Sequence, residues 1–203
     1  MLGEGQLELR LRNQAAAQDE SSNAIPAFIQ QQLDVKDQGT SGHSRRLSHC
    51  ALRLGVALRL SLPELQTLKI GGVVHDIGKL VVPDSILHKP AALTSSEWAI
   101  MRQHPILGEQ LAARISSLRP ALPIIRHHHE RWDGTGYPDH LAGERIPLLA
   151  RIVQIVDVFD ALTTERPYKP AWTTAQALVA MQREADREWL DRRLFREFAK
   201  ITR

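Results

Sequence analysis

Helical spacing of apolar residues dominates the chain from about residue 26 onward. Leu47, Ala51, Leu54 and Leu58 recur at three- and four-residue intervals, which places them on one face of a helix. Alternation with a period of two is nowhere convincing, and no repeat of roughly 20 to 50 residues is visible. The pattern therefore predicts an all-α fold, a bundle of about seven to nine helices around one core.

Start signals divide this pattern into separate helices. Ser61 is placed to cap a helix that has Pro63 in its first turn. Thr94 and Glu97 have the spacing of a capping box, in which each side chain accepts a hydrogen bond from the main chain of the other residue. Residues 133–138 read DGTGYP, which predicts a loop rather than a helix.

The first 25 residues differ from the rest of the chain. They are polar and rich in Gln, Ala and Glu, so we expect residues 1–25 to form a leader or linker and residues 26–203 to form the domain. The alternative is the remnant of a signalling helix that joins a sensor to the domain. No apolar run approaches the length of about 18 residues that spans a bilayer, and no signal peptide is visible. We therefore expect a cytoplasmic protein without a membrane partner.

Composition narrows the functional classes further. With 43% hydrophobic and 24% charged residues, the chain of 203 residues can bury a core, which excludes global disorder. The formal net charge of +3 comes without a long basic run, so a nucleic acid polymer is not expected as a partner. Cys50 is the one cysteine, which excludes an intramolecular disulfide and a thiolate metal cluster within one chain.

The histidines indicate a functional site, because the chain has nine of them and most stand in or beside predicted helices. His75 and Asp76 follow an apolar stretch, and Asp157 stands within the sequence IVDVF. A carboxylate near the core is costly unless it is paired or bound to a metal. His75, Asp76 and Lys79 can also face one site, since Lys79 follows the other two by four and three residues. We therefore predict a buried polar cluster.

The histidine triplet at 127–129 adds to this cluster. Successive helix residues are rotated by about 100°, so the three cannot point at one metal, but two neighbours can flank a site that holds two metals. Imidazole and carboxylate ligands without thiolate suit Fe, Mn, Zn or Ni. Five or more such ligands exceed the roughly three or four of one zinc site, which favours a two-metal centre. Such centres lower the pKa of a bridging water and commonly hydrolyse phosphate esters.

Each residue also has a simpler interpretation when it is taken alone. His43 and His104 are more readily explained as helix caps or core histidines, and His127 as a bystander. Asp157 could pair with Arg151. These alternatives each require a separate buried partner, whereas one metal centre would satisfy most of the residues at once.

A phosphate substrate also needs cationic groups nearby. Lys79 stands beside the predicted metals, and Arg166 and Lys169 follow Asp157 by about three helical turns. The alternative for Arg166 and Lys169 is a solvated helix end, where the helix dipole favours basic residues.

An ordered series of motifs from about residue 40 to residue 200 resembles the HD-GYP family, the bacterial branch of the HD phosphohydrolase superfamily. The motifs are HDIGK at 75–79, VPD at 82–84, QHP at 103–105, HHERWDGTGYP at 128–138, DVFDALT at 157–163 and RPYK at 166–169. The GYP loop distinguishes this branch from other HD hydrolases. The resemblance implies an all-α HD fold that hydrolyses the messenger cyclic di-GMP to pGpG, and in many members on to GMP.

The resemblance also implies a set of metal ligands, and iron or manganese as the ions that they hold. Matched residue by residue, the ligands are His43, His75, Asp76, His104, His128, His129 and Asp157. Asp76 would bridge the metals, and together with Lys79 it is a predicted catalytic residue. The role of His43 and the choice of two histidines within the triplet come from the resemblance alone.

The family's motifs imply the substrate contacts in the same way. Lys79, Arg166 and Lys169 would contact the substrate phosphates, and Tyr137 would line the substrate groove. Asp160 would lie behind the metal ligands or near the substrate. The substrate itself, cyclic di-GMP, is known only through the resemblance.

The chain departs from the family's pattern in two places. Relatives with three metals have a glutamate one turn before the first histidine ligand, where this chain has Gly39, and Asp37 lies at a different helical angle. We therefore predict two metals. Residues 186–191 read DREWLD where the family usually has glycine followed by Phe-Asp-Pro. This second departure concerns the last helix pair and its turn, and not the metal site.

Most members of the family also carry a receiver or other sensory domain, for which this chain has no room. We therefore expect input from a signalling partner, such as a diguanylate cyclase or a sensor, or through the leader. Two other functions stay open. One is an HD phosphohydrolase that acts on another nucleotide, since nothing in the sequence specifies guanine, and the other is a regulatory module that binds signalling proteins with little turnover.

Overall fold

The computed structural model describes residues 24–36, 42–165 and 170–202, and these residues form helices joined by turns, with no strand among them. The α-helices are α1 (24–36), α2 (His43–Ala57), α3 (Leu62–Val74), α4 (Asp84–Leu87), α5 (Ser95–Met101), α6 (His104–Ala112), α7 (Leu122–His127), α8 (Leu148–Thr163), α9 (Thr174–Asp186) and α10 (Arg192–Thr202). Short 3₁₀ helices occupy Ile77–Val81, Ser116–Ala121 and Gly143–Arg145. The predicted all-α class is confirmed. None of the described helices combines the length and the apolar character needed to cross a membrane.

The larger of two apolar cores joins α2, α3 and α8 to the two C-terminal helices. The predicted apolar face of α2 is confirmed, because Leu47, Ala51 and Leu54 are fully buried. The same core contains Leu68 of α3 and Phe198 of α10. Burial of a large aliphatic or aromatic side chain contributes about 1.5–3 kcal/mol, so this core fixes α2 and α8 relative to each other.

A second core lies beneath α1. Ile29 and Leu33 of that helix belong to one buried cluster with Val74, Leu118 and Ile125. This cluster covers the C-terminal end of α3, where two predicted ligands follow.

Of the predicted leader, residues 1–23 lie outside the described residues, and the domain boundary at residue 26 stays a prediction.

The predicted capping residues begin their helices as expected. The main-chain N–H of Ser61 donates to Glu64 Oε2 over 2.8 Å at the start of α3, and Pro63 occupies its first turn. At α5 the N–H of Thr94 donates to Glu97 Oε2 over 2.7 Å, and the N–H of Glu97 donates back to Thr94 Oγ1 over 3.3 Å. Both helices therefore begin with capping boxes, which supply partners for the N–H groups that a helix start leaves open.

Two glycines allow the first 3₁₀ helix to lie directly on α6. A Cβ atom on Gly78 would stand 1.8 Å from the carbonyl oxygen of His104 and 2.7 Å from the nitrogen of Gly108, so no larger residue fits. This contact between two main chains holds Asp76 and Lys79 beside His104. Gly78 is thus required by the packing that assembles the site.

The last helix pair forms although its turn departs from the family's pattern. α9 ends at Asp186, and α10 begins at Arg192 after Asp191. Asp191 is buried, and its Oδ1 accepts from the N–H of Arg193 over 2.9 Å while its Oδ2 accepts from Arg151 Nη1 over 2.7 Å. Because Arg151 is held by Asp191, the alternative pairing of Arg151 with Asp157 is wrong.

Candidate metal centre

The seven predicted metal ligands converge on one region, although they come from five parts of the chain. His43 begins α2, His75–Asp76 follows α3, His104 begins α6, His128–His129 follows α7, and Asp157 lies within α8. We call these seven residues the central cluster. Their donor atoms fall into two groups, and within each group the atoms lie within 4.8 Å of one another.

Asp76 belongs to the first group, with three histidines. Its Oδ1 stands 3.3 Å from His104 Nε2 and 3.6 Å from His128 Nε2, and these two nitrogens are 3.4 Å apart. His129 completes the group. One carboxylate and three imidazoles around a common point are a ligand set typical of Fe, Mn or Zn.

The second group contains His43, His75 and Asp157. His43 Nε2 lies 3.3 Å from Asp157 Oδ1. His75 Nε2 lies 3.3 Å from Asp76 Oδ2, the carboxylate oxygen that does not face the first group. Asp76 therefore stands between the two groups with one oxygen toward each, which is the position that a bridging ligand requires.

Three histidines of the central cluster share one kind of main-chain anchor. The distance from Nδ1 to the carbonyl oxygen three residues earlier is 3.0 Å for His75 and Gly72, 2.9 Å for His104 and Met101, and 2.9 Å for His128 and Ile125. These carbonyls lie in the last turns of α3, α5 and α7, where a helix leaves carbonyls without internal partners. Because a carbonyl only accepts, Nδ1 carries the hydrogen, and in the neutral imidazole Nε2 then has a lone pair that faces the cluster.

Two polar atoms of this cluster are buried and have no hydrogen-bond partner among the described residues: His75 Nε2 and Asp76 Oδ1. Asp76 is buried, which opposes its charge, but Lys79 Nζ at 2.7 Å from Oδ2 and the surrounding histidines together outweigh the burial and hold the pKa of this carboxyl well below its ordinary value. A neutral imidazole nitrogen and a carboxylate oxygen both only accept, so they repel each other until a cation lies between them. The central cluster therefore fits divalent metal ions.

His43 is held differently, by a carboxylate. Its Nδ1 lies 2.7 Å from Asp160 Oδ2, and Arg46 donates to both oxygens of Asp160, over 2.7 Å to Oδ1 and 3.0 Å to Oδ2. Burial opposes the charge of Asp160, but the hydrogen bonds from His43 and Arg46 outweigh it and lower the pKa of Asp160 to about 2. Of the two predicted positions, these contacts favour a place behind the metal ligands over contact with substrate.

Tyr137 closes one side of the cluster. Its ring stacks on His129, with ring centroids 4.8 Å apart and planes inclined by 24°. Burial raises the pKa of Tyr137, so its hydroxyl stays protonated. The loop comes this close because Gly136 lies against the main chain of Arg131, whose nitrogen would be 2.3 Å from an added Cβ. The predicted groove residue is thus in contact with a predicted ligand.

Sequence reasoning missed Glu130, which fastens this loop. The side chain is fully buried, and its two oxygens accept from the N–H of Asp139 over 2.7 Å and of Leu141 over 3.1 Å. A signal was present in the sequence: an acidic residue directly after two predicted ligands and before a glycine-rich loop. Such a residue needs a partner when it is buried, and here the partners are main-chain donors.

Glu130 also belongs to a second assembly of potential ligands, together with His127 and Asp139. We call these three residues the outer cluster. Both oxygens of Asp139 accept from Arg126, over 2.8 Å from Nη2 and 2.6 Å from Nε. The carboxylates of the outer cluster are thus already engaged, and the interpretation of His127 as a bystander stays a prediction.

Four predicted residues lie outside the described residues. They are Asp37, Gly39, Arg166 and Lys169. The expected phosphate contacts of Arg166 and Lys169, and the two-metal stoichiometry inferred from Gly39, therefore stay predictions.

Comparison with known proteins identifies the class to which this site belongs. The model of the HD domain family matches residues 28–194, so the chain belongs to the HD domain family. This match confirms the resemblance that the motifs indicated.

Two relatives have names that specify different cyclic dinucleotides. The chain is 39% identical over 183 residues to the cyclic di-GMP phosphodiesterase response regulator RpfG of Xanthomonas campestris pv. campestris, which covers 89% of this chain and 48% of RpfG. It is 38% identical over 159 residues to the 3'3'-cGAMP-specific phosphodiesterase 2 of Vibrio cholerae serotype O1, covering 77% of this chain and 30% of that protein. The chain therefore spans less than half the length of these relatives.

The fold is also similar to a solved structure. The crystal structure of the cyclic GMP-AMP specific phosphodiesterase V-cGAP3 of V. cholerae matches with a TM-score of 0.68 and 20% sequence identity, over 87% of this chain and 47% of that chain. The similarity confirms the HD-domain architecture expected from the motifs.

Proposed function

We propose that this chain is a metal-dependent phosphodiesterase that hydrolyses cyclic di-GMP to pGpG. The observation that supports this proposal most strongly is the central cluster, in which two buried atoms, His75 Nε2 and Asp76 Oδ1, have no hydrogen-bond partner among the described residues. The names of relatives such as RpfG support the substrate.

Two divalent ions, iron or manganese, would be held by the two groups of the central cluster, with Asp76 between them. When bound, such ions supply an activated water and neutralise the charge of a phosphodiester. The protein contributes fixed imidazole tautomers, because main-chain carbonyls orient His75, His104 and His128, and Asp160 orients His43. Orientation of this kind strengthens ligands and fixes their direction.

The side chains around the cluster support binding of a phosphodiester. Lys79 is partly exposed and carries its ammonium group beside Asp76, where it can also attract a phosphate oxygen. Tyr137 supplies an aromatic wall next to His129. Arg166 and Lys169 would add further positive charge in the segment that follows α8.

A second cyclic dinucleotide is a specific alternative substrate. One relative is named a 3'3'-cGAMP-specific phosphodiesterase, and the described contacts of the central cluster concern metals and phosphates rather than bases. Competition between cyclic di-GMP and 3'3'-cGAMP for the same enzyme distinguishes these substrates. A regulatory role through a signalling partner would be shown by partner capture that survives His75→Ala and Asp76→Ala.

Product analysis tests the proposed function. Purified protein is incubated with cyclic di-GMP, without oxygen in the presence of Fe(II) and separately with Mn(II), alongside Asp76→Ala, and pGpG and GMP are resolved over time. We expect turnover that requires metal and is absent from Asp76→Ala, and the ratio of GMP to pGpG shows whether a second hydrolysis follows. Absence of turnover by protein with bound metal would contradict the proposal.

A further inference from the structure

Helix α5 ends at Met101, whose carbonyl oxygen lies 2.9 Å from Nδ1 of the predicted ligand His104, and yet none of the seven residues of α5 is buried. It is fixed at its start by the capping box of Thr94 and Glu97 and by Lys89, whose Nζ donates to Glu97 Oε2 over 2.6 Å. It carries Trp98, which is 45% exposed. Because tryptophan has a large apolar ring, an exposed tryptophan on a firmly capped helix beside a catalytic centre is a candidate for ligand contact.

A continuous stack of side chains connects Trp98 to the central cluster. The guanidinium of Arg102 lies 5.7 Å from the centroid of the Trp98 ring and 5.6 Å from that of Tyr137. Tyr137 in turn stacks on the predicted ligand His129 at 4.8 Å. The stack therefore begins at a predicted metal ligand and ends at the protein surface, where Trp98 and Arg102 are exposed.

We propose that Trp98 and Arg102 form a platform that binds the nucleobase and adjoining phosphate of the cyclic dinucleotide during hydrolysis. This inference rests on the proposed function and adds two residues to the substrate site. Two observations favour a nucleotide as the occupant: the direct continuity with His129 through Tyr137, and the positive charge of Arg102 between two aromatic rings.

The chemistry of the two side chains fits the two parts of a nucleotide. An indole ring stacks on any base, and such contacts are tolerant of base identity. A guanidinium within cation–π distance of two rings is attracted to both, so it loses less freedom when its N–H groups bind a phosphate. The platform therefore predicts affinity for nucleotides without a preference for guanine over adenine, and cyclic di-GMP and 3'3'-cGAMP should depend on Trp98 equally.

Steady-state kinetics with cyclic di-GMP and 3'3'-cGAMP test the platform in the metal-loaded protein. Trp98→Ala should raise KM for both substrates by about 10-fold and leave kcat unchanged, because stacking contributes to binding and not to the chemical step. Trp98→Phe should stay within about threefold of the wild type, because it keeps an aromatic face. Arg102→Gln should also raise KM and reduce its dependence on salt, since a phosphate contact is removed.

Ile100→Ala is the matched control. Ile100 lies on the same helix and is 43% exposed, but a separation of two residues places it about 200° around the helix axis from Trp98. This variant should keep the wild-type KM. Metal content per chain, measured by elemental analysis, should be the same in all four variants, which separates a binding role from a structural one.

An unchanged KM in Trp98→Ala, or a loss of metal together with kcat, would overturn the platform. If the wild type hydrolyses neither cyclic dinucleotide, the proposed function is wrong, and the platform is then tested by calorimetric titration with GMP and AMP. Binding of both nucleotides that is weakened about 10-fold in Trp98→Ala would still support it. No binding by the wild type, or equal binding by both proteins, would contradict it.

Discussion

The central cluster and the outer cluster contain the same kinds of side chain but differ in what those side chains already contact. Histidine and carboxylate atoms lie within 4.8 Å of one another in the outer cluster and within each of the two groups of the central cluster. In the outer cluster both carboxylates are engaged, Asp139 by Arg126 and Glu130 by main-chain N–H groups, and among the described residues the buried atom without a hydrogen-bond partner is a ring nitrogen, His127 Nδ1, 3.4 Å from Asp139 Oδ2. In the central cluster, His75 Nε2 and Asp76 Oδ1 are buried without a hydrogen-bond partner among the described residues.

This difference shows how a metal site is distinguished from a structural polar cluster. A carboxylate that accepts hydrogen bonds from arginine and main-chain amides has few lone pairs available to bind a cation. Buried acceptors that face each other, in contrast, need a cation between them. In each anchored histidine, the hydrogen bond made by Nδ1 fixes the direction in which Nε2 points. For metal binding, this direction matters as much as the distance between the ligands.

The largest expected effect comes from Asp76→Ala, which removes the carboxylate between the two ligand groups. We expect the bound metal to fall well below two ions per chain and phosphodiesterase activity to fall by roughly 10³-fold or more, because the metals supply several kcal/mol of transition-state stabilisation. Elemental analysis and product formation measure both effects. Asp139→Ala in the outer cluster is the matched control and should retain metal. Full metal content in Asp76→Ala would show that the ligand assignment is wrong.

Lys79→Ala separates phosphate binding from metal binding. Lys79 contacts Asp76, but a bound cation would neutralise the same carboxylate, so we expect the metals to remain. The rate should fall by about 10²-fold, in line with the loss of one group that stabilises developing charge. Kinetics at a measured metal content test this, with Lys79→Arg as the variant that keeps the charge. A fully active Lys79→Ala would rule out the phosphate contact.

Asp160→Asn tests the support behind His43. The neutral amide no longer stabilises the imidazole as a charged carboxylate does, and we expect metal affinity to fall by about 10- to 100-fold. Competition with a chelator of known affinity measures the change. Asp186→Asn, at the end of α9 on the surface, should behave as the wild type. If Asp160→Asn bound metal with unchanged affinity, the supporting role of Asp160 would be refuted.

The smallest expected effect on metal binding comes from Glu130→Gln in the outer cluster. Metal content should not change, but the amide group cannot accept from both the Asp139 and Leu141 N–H groups. We therefore expect the free energy of unfolding to fall by about 1–3 kcal/mol, as measured with denaturant. A loss of metal without a loss of stability would place Glu130 among the ligands and remove the contrast between the clusters.

The helical class and most of the central cluster were predictable because they depend on local sequence, whereas the place of His43 in the cluster came from the family resemblance. The spacing of Leu47, Ala51 and Leu54 indicates a buried helix face, and the HD and HH motifs are continuous in sequence. The hydrogen bonds of Glu130 and the stack on Tyr137 were not predictable, because their partners are set by the way the loop folds back. The alternative pairing of Arg151 with Asp157 is wrong for the same reason: the partner, Asp191, is 40 residues away in sequence.

The most direct test of the distinction between the two clusters is to locate the metal. Crystals of the wild-type protein grown with Mn(II) would give an anomalous diffraction signal wherever manganese binds. We predict two peaks within the central cluster, on either side of Asp76, and none between His127, Glu130 and Asp139. A peak in the outer cluster, or fewer than two peaks in the central cluster of fully loaded protein, would contradict this prediction.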